Sequence, residues 1–134
     1  MQSVLIDTDI AIDYLRGSEE AARLLEQLWN NNMAHLSILS VYELCAGMRA
    51  TEKEATEDFI NACNVEPVTM QMAKKAGDMY KHWRGKGVTI TSIDCLIAAT
   101  AAFNKHKIAT RNKGHYPERG LLLGQLLTHV TNQK

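Results

Sequence analysis

Residues 4–17, VLIDTDIAIDYLRG, say more about the architecture of this chain than any other segment. The opening VLI is a short continuous apolar run, which is typical of a strand buried on both faces of a parallel sheet. Asp7 is expected at the carboxyl end of that strand. Residues 10–15 follow with a short helical pattern that ends at Gly17. A buried strand followed directly by a helix predicts an α/β fold.

Helices and strands are predicted to alternate along the rest of the chain. Residues 85–87 form a Gly-Lys-Gly turn, and residues 111–120 form a basic loop marked by Pro and Gly. This alternation predicts a parallel α/β sandwich. The predicted helices cover residues 18–30, a segment that starts after Ser40, and residues 51–61, 70–84 and 92–103, and the predicted strands cover 35–39, 65–67 and 107–109.

The length and composition are those of one domain. A chain of 134 residues that is 46% hydrophobic can build a single buried core, so we expect one domain over residues 1–134. The start lacks the basic and apolar regions of a signal peptide, and no run of about 18 apolar residues occurs elsewhere. These features predict a soluble cytoplasmic protein without a membrane segment.

The cysteines suggest neither a disulfide framework nor a thiolate metal site. Cys45, Cys63 and Cys95 are odd in number and form no C-x-x-C pair. We expect buried free thiols.

The charges change sign along the chain, although the net charge is zero. Residues 1–66 hold 4 Lys or Arg and 12 Asp or Glu, whereas residues 67–134 hold 11 and 3. Two such halves folded against each other place an acidic patch beside a basic one. That arrangement suits a metal site next to a surface that binds a polyanion, and an ordinary mixed surface is the alternative.

Three carboxylates recur in one kind of place. Asp7 follows a predicted strand, while Glu43 and Asp94 each lie in the first turn of a predicted helix. In an open parallel sheet the strand ends and the following helix starts line the same edge, where ligands bind. Three separate segments are therefore expected to direct carboxylates at one crevice.

Helix capping explains each of these acids taken singly. Ser40 to Glu43 and Thr91 to Asp94 both match the capping box, and Asp7 or Asp9 can cap the segment that follows it. Three clustered carboxylates, however, raise one another's pKa unless a cation neutralises them. Oxygen ligands alone favour Mg²⁺ or Mn²⁺ over zinc.

Four motifs resemble those of PIN-domain toxins of the VapC family, which belong to type II toxin–antitoxin systems. The resemblance spans about residues 4–117, and the motifs stand in family order. It implies a PIN-like three-layer α/β/α sandwich with a small central parallel sheet, and an RNA-cutting enzyme. The motifs are LIDTDI with IDYLRG (5–10 and 12–17), SILSVYEL with Gly47 (37–44), SIDCLIAATA (92–101), and ATRN with HYP (109–112 and 115–117).

The resemblance also assigns the site. It places Asp7, Glu43 and Asp94 in an acidic metal centre with Asn112 as a polar neighbour, and Thr8 and Ser40 help to orient that centre. The family often has a further acid near the fourth motif, where this chain has Asn112 and His115. Weaker metal binding, or more water ligands, is the implied consequence. Asp9 stands where the family more commonly has Asn.

The expected chemistry is metal-assisted hydrolysis of RNA to a 5′-phosphate and a 3′-hydroxyl. Asp7 and Asp94 are the preferred direct ligands of Mg²⁺ or Mn²⁺. Glu43 either completes the ligand shell or accepts the proton of the attacking water.

Basic residues near the fourth motif are candidates for binding RNA phosphates. They are Arg111, Lys113, Arg119 and the 105–107 Lys-His-Lys cluster. A solvated basic loop is the alternative. His115 is a candidate phosphate contact or proton donor and otherwise a surface residue, while His35, His82, His106 and His129 show no ligand spacing and are assigned no role. Tyr80 and Trp83 are predicted to be core or interface residues rather than base-stacking ones.

The resemblance implies two protein partners. Proteins of this kind usually form homodimers, and a cognate antitoxin lays a peptide along the active-site groove and often inserts a basic side chain among the carboxylates. The apolar surfaces around Leu24, Leu28 and Met48 are compatible with a dimer contact or with the core.

Three other functions remain open. Asp7 and Asp9 mimic the D-x-D signature of haloacid-dehalogenase phosphatases, but beyond residue 66 the acids are only Asp78, Asp94 and Glu118, which form no adjacent acidic pair of the kind such enzymes need. A metal-free ribonuclease with a His/Glu pair would leave a cyclic phosphate and work in EDTA. A catalytically silent module of the same fold would bind RNA or protein without cutting.

Overall fold

The computed structural model describes residues 1–124, so residues 125–134, including His129, lie outside the described part. The prediction of one domain over residues 1–134 therefore stays a prediction.

The described residues form four strands and six helices. The strands are β1 (Val4–Ile6), β2 (Ala34–Ser37), β3 (Asn64–Glu66) and β4 (Lys107–Ala109), and the helices are α1 (Thr8–Leu15), α2 (Glu19–Asn30), α3 (Ile38–Gly47), α4 (Lys53–Ala62), α5 (Met70–Gly85) and α6 (Ser92–Asn104). Short 3₁₀ turns occur at Ala50–Glu52, Lys113–His115 and Arg119–Leu121.

The strands form one parallel sheet with the order β3-β2-β1-β4. The central strand β1 is buried on both faces, as its apolar run predicts. Val4 and Ile6 pack in a core with α1, α2, α3 and α4, while Leu5 packs on the other face with Ile97 of α6 and Ile108 of β4. Helices on both faces of a small parallel sheet confirm the predicted α/β/α sandwich.

The junction between β2 and α3 differs from the sequence prediction. The strand ends at Ser37 rather than residue 39, because the Ser37 hydroxyl accepts a hydrogen bond from the backbone N–H of Leu39 and caps the helix. The helix thus begins at Ile38 instead of after Ser40. Glu43 consequently lies in the middle of α3, so its placement in a first turn and its capping box with Ser40 were wrong.

Helix α6 carries different chemistry at its two ends. Asp94 lies in its first turn, where the Thr91 side chain accepts a hydrogen bond from the Asp94 N–H at 3.1 Å. The helix ends at Asn104, and Lys105 adopts a left-handed conformation (φ 60°) that turns the chain into β4. A rise of 1.5 Å per residue separates Asp94 from Asn104 by about 15 Å.

Several smaller predictions also have outcomes. The thiols of Cys45, Cys63 and Cys95 are free, but only Cys95 is buried and Cys45 is exposed. Tyr80 and Trp83 pack against the core between α5 and α6, as predicted. None of the helices in residues 1–124 is long and apolar enough to span a membrane.

Candidate active site

Asp7 stands where β1 ends and α1 begins. Its backbone N–H donates to the Ala109 carbonyl of β4, and its Oδ1 accepts from the Thr8 N–H at 2.9 Å. The predicted cap is therefore present. The other oxygen, Oδ2, faces away from the helix end and accepts a hydrogen bond from the Tyr116 hydroxyl at 3.1 Å. One oxygen of Asp7 thus holds the helix, and the second points at another side chain.

The Tyr116 hydroxyl joins Asp7 to Asp94. It lies 3.4 Å from Asp94 Oδ1 and 3.1 Å from Asp7 Oδ2, and the tyrosine is buried. A phenol carries one proton and can donate to one carboxylate at a time. A single O–H is therefore shared between two acids that come from different ends of the sequence.

Burial and nearby charge perturb Asp7 and Tyr116. Burial, followed by the nearby charge of Asp9, raises the pKa of Asp7 to about 6. Burial and the charges of Asp7 and Asp94 raise the pKa of Tyr116, which keeps the phenol protonated as a donor. A cation bound beside this carboxylate would stabilise its ionised form.

Glu43 reaches this centre through Thr8. The Thr8 hydroxyl donates to Glu43 Oε1 at 2.6 Å and lies 3.0 Å from the hydroxyl of the buried Ser40. The two hydroxyls therefore fix the glutamate on α3 beside the start of α1. We call Asp7, Glu43, Asp94 and Tyr116 the acidic centre.

Asp9 fastens the loop that follows β4. Its Oδ2 accepts from the Arg111 N–H at 2.9 Å, from Asn112 Nδ2 at 3.2 Å and from the Thr110 hydroxyl at 3.3 Å. Its Oδ1 is buried and has no hydrogen-bond partner among residues 1–124. Asn112 therefore touches Asp9, and a buried carboxylate oxygen stays available next to Asp7.

Two curated relatives resemble this chain over most of its length. Ribonuclease VapC19 of Mycobacterium tuberculosis is 40% identical over 114 residues, which are 84% of this chain and 91% of that protein. Ribonuclease VapC10 of the same organism is 34% identical, covering 85% of this chain and 86% of its own length. The family described as PIN domain matches residues 4–117. This chain belongs to the PIN-domain family of VapC ribonucleases.

A solved structure shows the same fold. The toxin–antitoxin complex from Klebsiella pneumoniae contains a chain that superimposes on this PIN domain with a TM-score of 0.78 at 21% identity. The match covers 90% of this chain and 96% of that chain. The predicted PIN-like sandwich is therefore confirmed.

The geometry of the site does not support the phosphatase alternative. Its nucleophile would be Asp7, which is buried and caps α1, and its acid would be Asp9, which holds the loop after β4. The D-x-D pattern is here the end of a strand followed by the first turn of a helix.

The donor set fits a hard divalent ion held partly by water. Asp7 and Asp94 both face the Tyr116 oxygen, and the unpaired Asp9 Oδ1 is a further oxygen nearby. No three carboxylates of this centre come within 4.8 Å of one another in the part of the chain that the structure describes. Mg²⁺ commonly binds through one or two carboxylates and keeps several waters, so two aspartates suit it.

The basic residues of the PIN domain are spread more widely than predicted. Lys113 and His115 are exposed in the loop, with His115 Nδ1 3.7 Å from Asp94 Oδ2, whereas Arg111 donates two hydrogen bonds to Asp13 through Nε (2.5 Å) and Nη2 (3.1 Å). Arg119 precedes Gly120, whose carbonyl accepts from the Lys107 ammonium at the start of β4. Lys107 stands at the start of the β1–β4 pairing, whereas Asp7 follows the other end of that pairing, at Ala109.

Sequence reasoning missed the role of Tyr116, and it considered Asp9 only as a helix cap or as the acid of a phosphatase. Tyr116 was quoted within the fourth motif, yet no function was given to it. A large aromatic residue in a loop of basic residues is a signal for burial, and a buried tyrosine hydroxyl usually has a hydrogen-bond partner. The sequence could thus have indicated that Tyr116 is buried, but not which acids it contacts.

Proposed function

We propose that this PIN domain is an endoribonuclease that uses Mg²⁺ or Mn²⁺ and leaves 5′-phosphate and 3′-hydroxyl ends. The observation that carries the proposal is the single Tyr116 hydroxyl placed between Asp7 and Asp94. Asp7 is buried and the Asp94 side chain is 16% exposed. Two such acids that share one proton donor retain an excess of negative charge that a divalent cation would neutralise. Its relatives are named ribonucleases, and PIN-domain ribonucleases generally depend on a divalent metal.

Each acid has a separate task in this proposal. Asp7 Oδ2 and an Asp94 oxygen would hold the ion, and Tyr116 would keep the two carboxylates oriented. A bound Mg²⁺ or Mn²⁺ lowers the pKa of water and offsets charge on the phosphoryl oxygens. Glu43 is fixed by Thr8 and Ser40 and would accept the proton of the attacking water, while the 3′-oxygen of the RNA leaves.

The exposed loop beside Asp94 would contact the substrate. Lys113 and His115 are exposed there, and Asn112 is held by Asp9. Arg111 would have to exchange Asp13 for a phosphate, so it would add less to affinity than its charge suggests. Arg119 would contact RNA only if the bound RNA extends toward the start of β4. A partly neutralised loop of this kind binds RNA by shape and by phosphate contacts.

An antitoxin partner, as in a VapBC pair, is also part of the proposal. An open groove of about 300 Å³ begins at Glu43 and continues between α1, α3 and α4. Its lining is mixed: the apolar side chains are Ile12, Leu15, Leu44, Met48 and Ala55, and the polar ones are Arg16, Glu43, Thr51, Glu52 and Thr56. A peptide lying in this groove would reach the acidic centre. Solved structures similar in fold include a toxin–antitoxin complex and a DNA-bound VapBC complex.

The predicted dimer surface needs a different location. Leu24 and Leu28 are buried in the core, so they are not available to a second subunit. Ile38 and Tyr42 are exposed on α3, which makes that helix the better candidate for a homodimer contact. We propose that the protein is a homodimer and acts in the cytoplasm, where its RNA substrate lies.

End-group analysis of the products tests the proposed chemistry. Purified protein would be incubated with a mixed RNA pool in Mn²⁺, in Mg²⁺, in EDTA, and in EDTA followed by excess Mn²⁺. We expect cleavage only with metal, its recovery on adding Mn²⁺ back, and products with 5′-phosphates. Cleavage in EDTA with cyclic phosphates would instead support the metal-free ribonuclease. RNA binding without cleavage at millimolar Mn²⁺ would support the silent module.

A further inference from the structure

A second cluster of ligand-type side chains lies at the other end of α6 from Asp94. His35 of β2, Glu66 of β3 and His106 of the turn before β4 each direct one donor atom inward, and these atoms all lie within 4.8 Å of one another. We call these residues the histidine cluster. In residues 1–124 it is the one group of three or more such residues at this spacing.

The two histidines converge on one carboxylate. His106 Nε2 lies 2.8 Å from Glu66 Oε2, and His35 Nδ1 lies 2.7 Å from the same oxygen. The two rings stack with their centroids 4.2 Å apart and an interplanar angle of 28°. All three side chains are largely buried, with exposed fractions of 18%, 16% and 6% for His35, Glu66 and His106. Three protein segments therefore enclose one small polar volume.

Hydrogen bonding alone does not satisfy this cluster. His35 Nδ1 is buried and close to Glu66, but its ring N–H would not lie along that contact, and it has no aligned partner among the described residues. If the proton sits on the other ring nitrogen, a lone pair of Nδ1 faces a carboxylate oxygen. A cation between the two atoms would remove this repulsion.

Neighbouring side chains are placed as outer supports of a metal ligand set. The Ser3 hydroxyl lies 2.7 Å from His106 Nδ1, and Asn104 Nδ2 donates to Glu66 Oε1 at 2.9 Å. A hydroxyl can donate to Nδ1 or accept from it. Ser3 can therefore support the tautomer that gives Nε2–H to Glu66 and also the one that frees the Nε2 lone pair for a metal.

We propose that His35, Glu66 and His106 form a binding site for a borderline divalent transition metal, with zinc as the best match, separate from the acidic centre. Two imidazole nitrogens and one carboxylate oxygen are a common zinc ligand set, completed by water. Bonds of about 2.1 Å place such ligands about 3.0–3.4 Å apart, so Glu66 would need to withdraw by about half an ångström. The bound ion would fasten the edge strand β3 to β2 and to the end of α6.

Zinc titration of the full chain tests this proposal. Metal-free protein would be titrated with ZnCl₂ in a calorimeter, and Co²⁺ absorption would report a site with nitrogen ligands. We expect one zinc per chain in the wild type and in Asp94→Asn. His106→Gln and Glu66→Gln should weaken zinc binding by about 100-fold or more, and Ser3→Ala by about tenfold. His82→Gln, which changes an exposed histidine on α5, is the matched control and should bind as the wild type does.

Imidazole NMR of the wild type keeps the test independent of variant folding. Zinc should shift the ring resonances of His35 and His106 and leave those of His82 unchanged. Absence of stoichiometric zinc binding at micromolar protein would overturn the proposal. The same holds if zinc survives both cluster variants, or if Asp94→Asn abolishes it.

Discussion

The side chains that meet at the two ends of α6 differ in their donor atoms. At the start of the helix, Asp94 meets Asp7 and a tyrosine hydroxyl, so every donor is oxygen. At its end, His106 meets His35 and Glu66, so two of three donors are nitrogen. Oxygen donors select hard ions such as Mg²⁺ and Mn²⁺, whereas imidazoles select zinc and its neighbours. The two proposed cation sites therefore lie at opposite ends of a helix that rises about 15 Å between Asp94 and Asn104.

The ends also differ in how their charge is balanced. The carboxylate of Glu66 faces two imidazoles and the Asn104 amide, whereas Asp7 and Asp94 share one neutral phenol. At the acidic centre, burial and then the nearby charge of Asp9 raise the pKa of Asp7. Groups whose ionisation lowers the stability of the folded protein in this way are typical of functional sites.

The largest expected effect comes from Asp7→Asn. This change removes a proposed ligand of the ion and should lower RNA cleavage by roughly 10²–10³-fold, measured as kcat in Mn²⁺. Asparagine caps helices about as well as aspartate, so α1 should persist. Zinc binding at the histidine cluster should not change. A variant that cleaves at the wild-type rate would contradict the assignment of Asp7.

The same variant should be more stable than the wild type in EDTA at pH 7. The pKa of Asp7 is about 6 in the folded protein against 3.8 for the unfolded chain, so folding favours the protonated acid. Ionisation then lowers the free energy of unfolding as pH rises from about 4 to 6, and the full cost of about 1–3 kcal/mol is present above pH 6. Urea unfolding of both proteins at pH 4 and pH 7 measures it. Equal differences at the two pH values would refute this explanation.

Tyr116→Phe should have the next largest effect. It removes the shared donor but leaves both carboxylates, so cleavage should fall by about 10- to 100-fold and the Mn²⁺ needed for half-maximal rate should rise. Tyr80→Phe is the control, because it removes a hydroxyl on α5 that accepts from Arg84 and contacts no acid of the centre. If both variants behave alike, Tyr116 has only a packing role.

Asp9→Asn should have the smallest effect of these changes. The amide can still accept hydrogen bonds from the loop after β4, yet it removes the charge next to Asp7. We expect the Mn²⁺ requirement to rise about 3- to 10-fold with a similar maximal rate. A collapse of the maximal rate at saturating Mn²⁺ would show that Asp9 acts in the chemical step. No change at all would remove it from the metal site.

Much of the fold was predictable because each element has a local signal. The buried run before Asp7 marks the central strand, and the Thr91 cap marks the start of α6. The end of β2 was predicted two residues late, since Ser37 and Ser40 are both possible caps and only packing selects Ser37. That choice moved Glu43 from a first turn to mid-helix, where Thr8 holds it.

The contacts that were missed join residues far apart in the chain. Tyr116 meets Asp7 across 109 positions, and His106 meets Glu66 across 40. No spacing rule links such residues, because strand order and the path of α6 bring them together. The sequence therefore indicated the acids of the site but not the hydroxyl between them, and it gave no sign of the histidine cluster.

Cleavage by Asp94→Asn and Asp78→Asn, measured beside the wild type in Mn²⁺, tests the assignment of the acidic centre most directly. Asp78 is an exposed acid on α5, so both variants lose the same charge at different places. We predict that Asp94→Asn loses at least about 100-fold in kcat while Asp78→Asn keeps the wild-type rate. Wild-type cleavage by Asp94→Asn would contradict the account and leave Asp94 as a residue of the helix start alone.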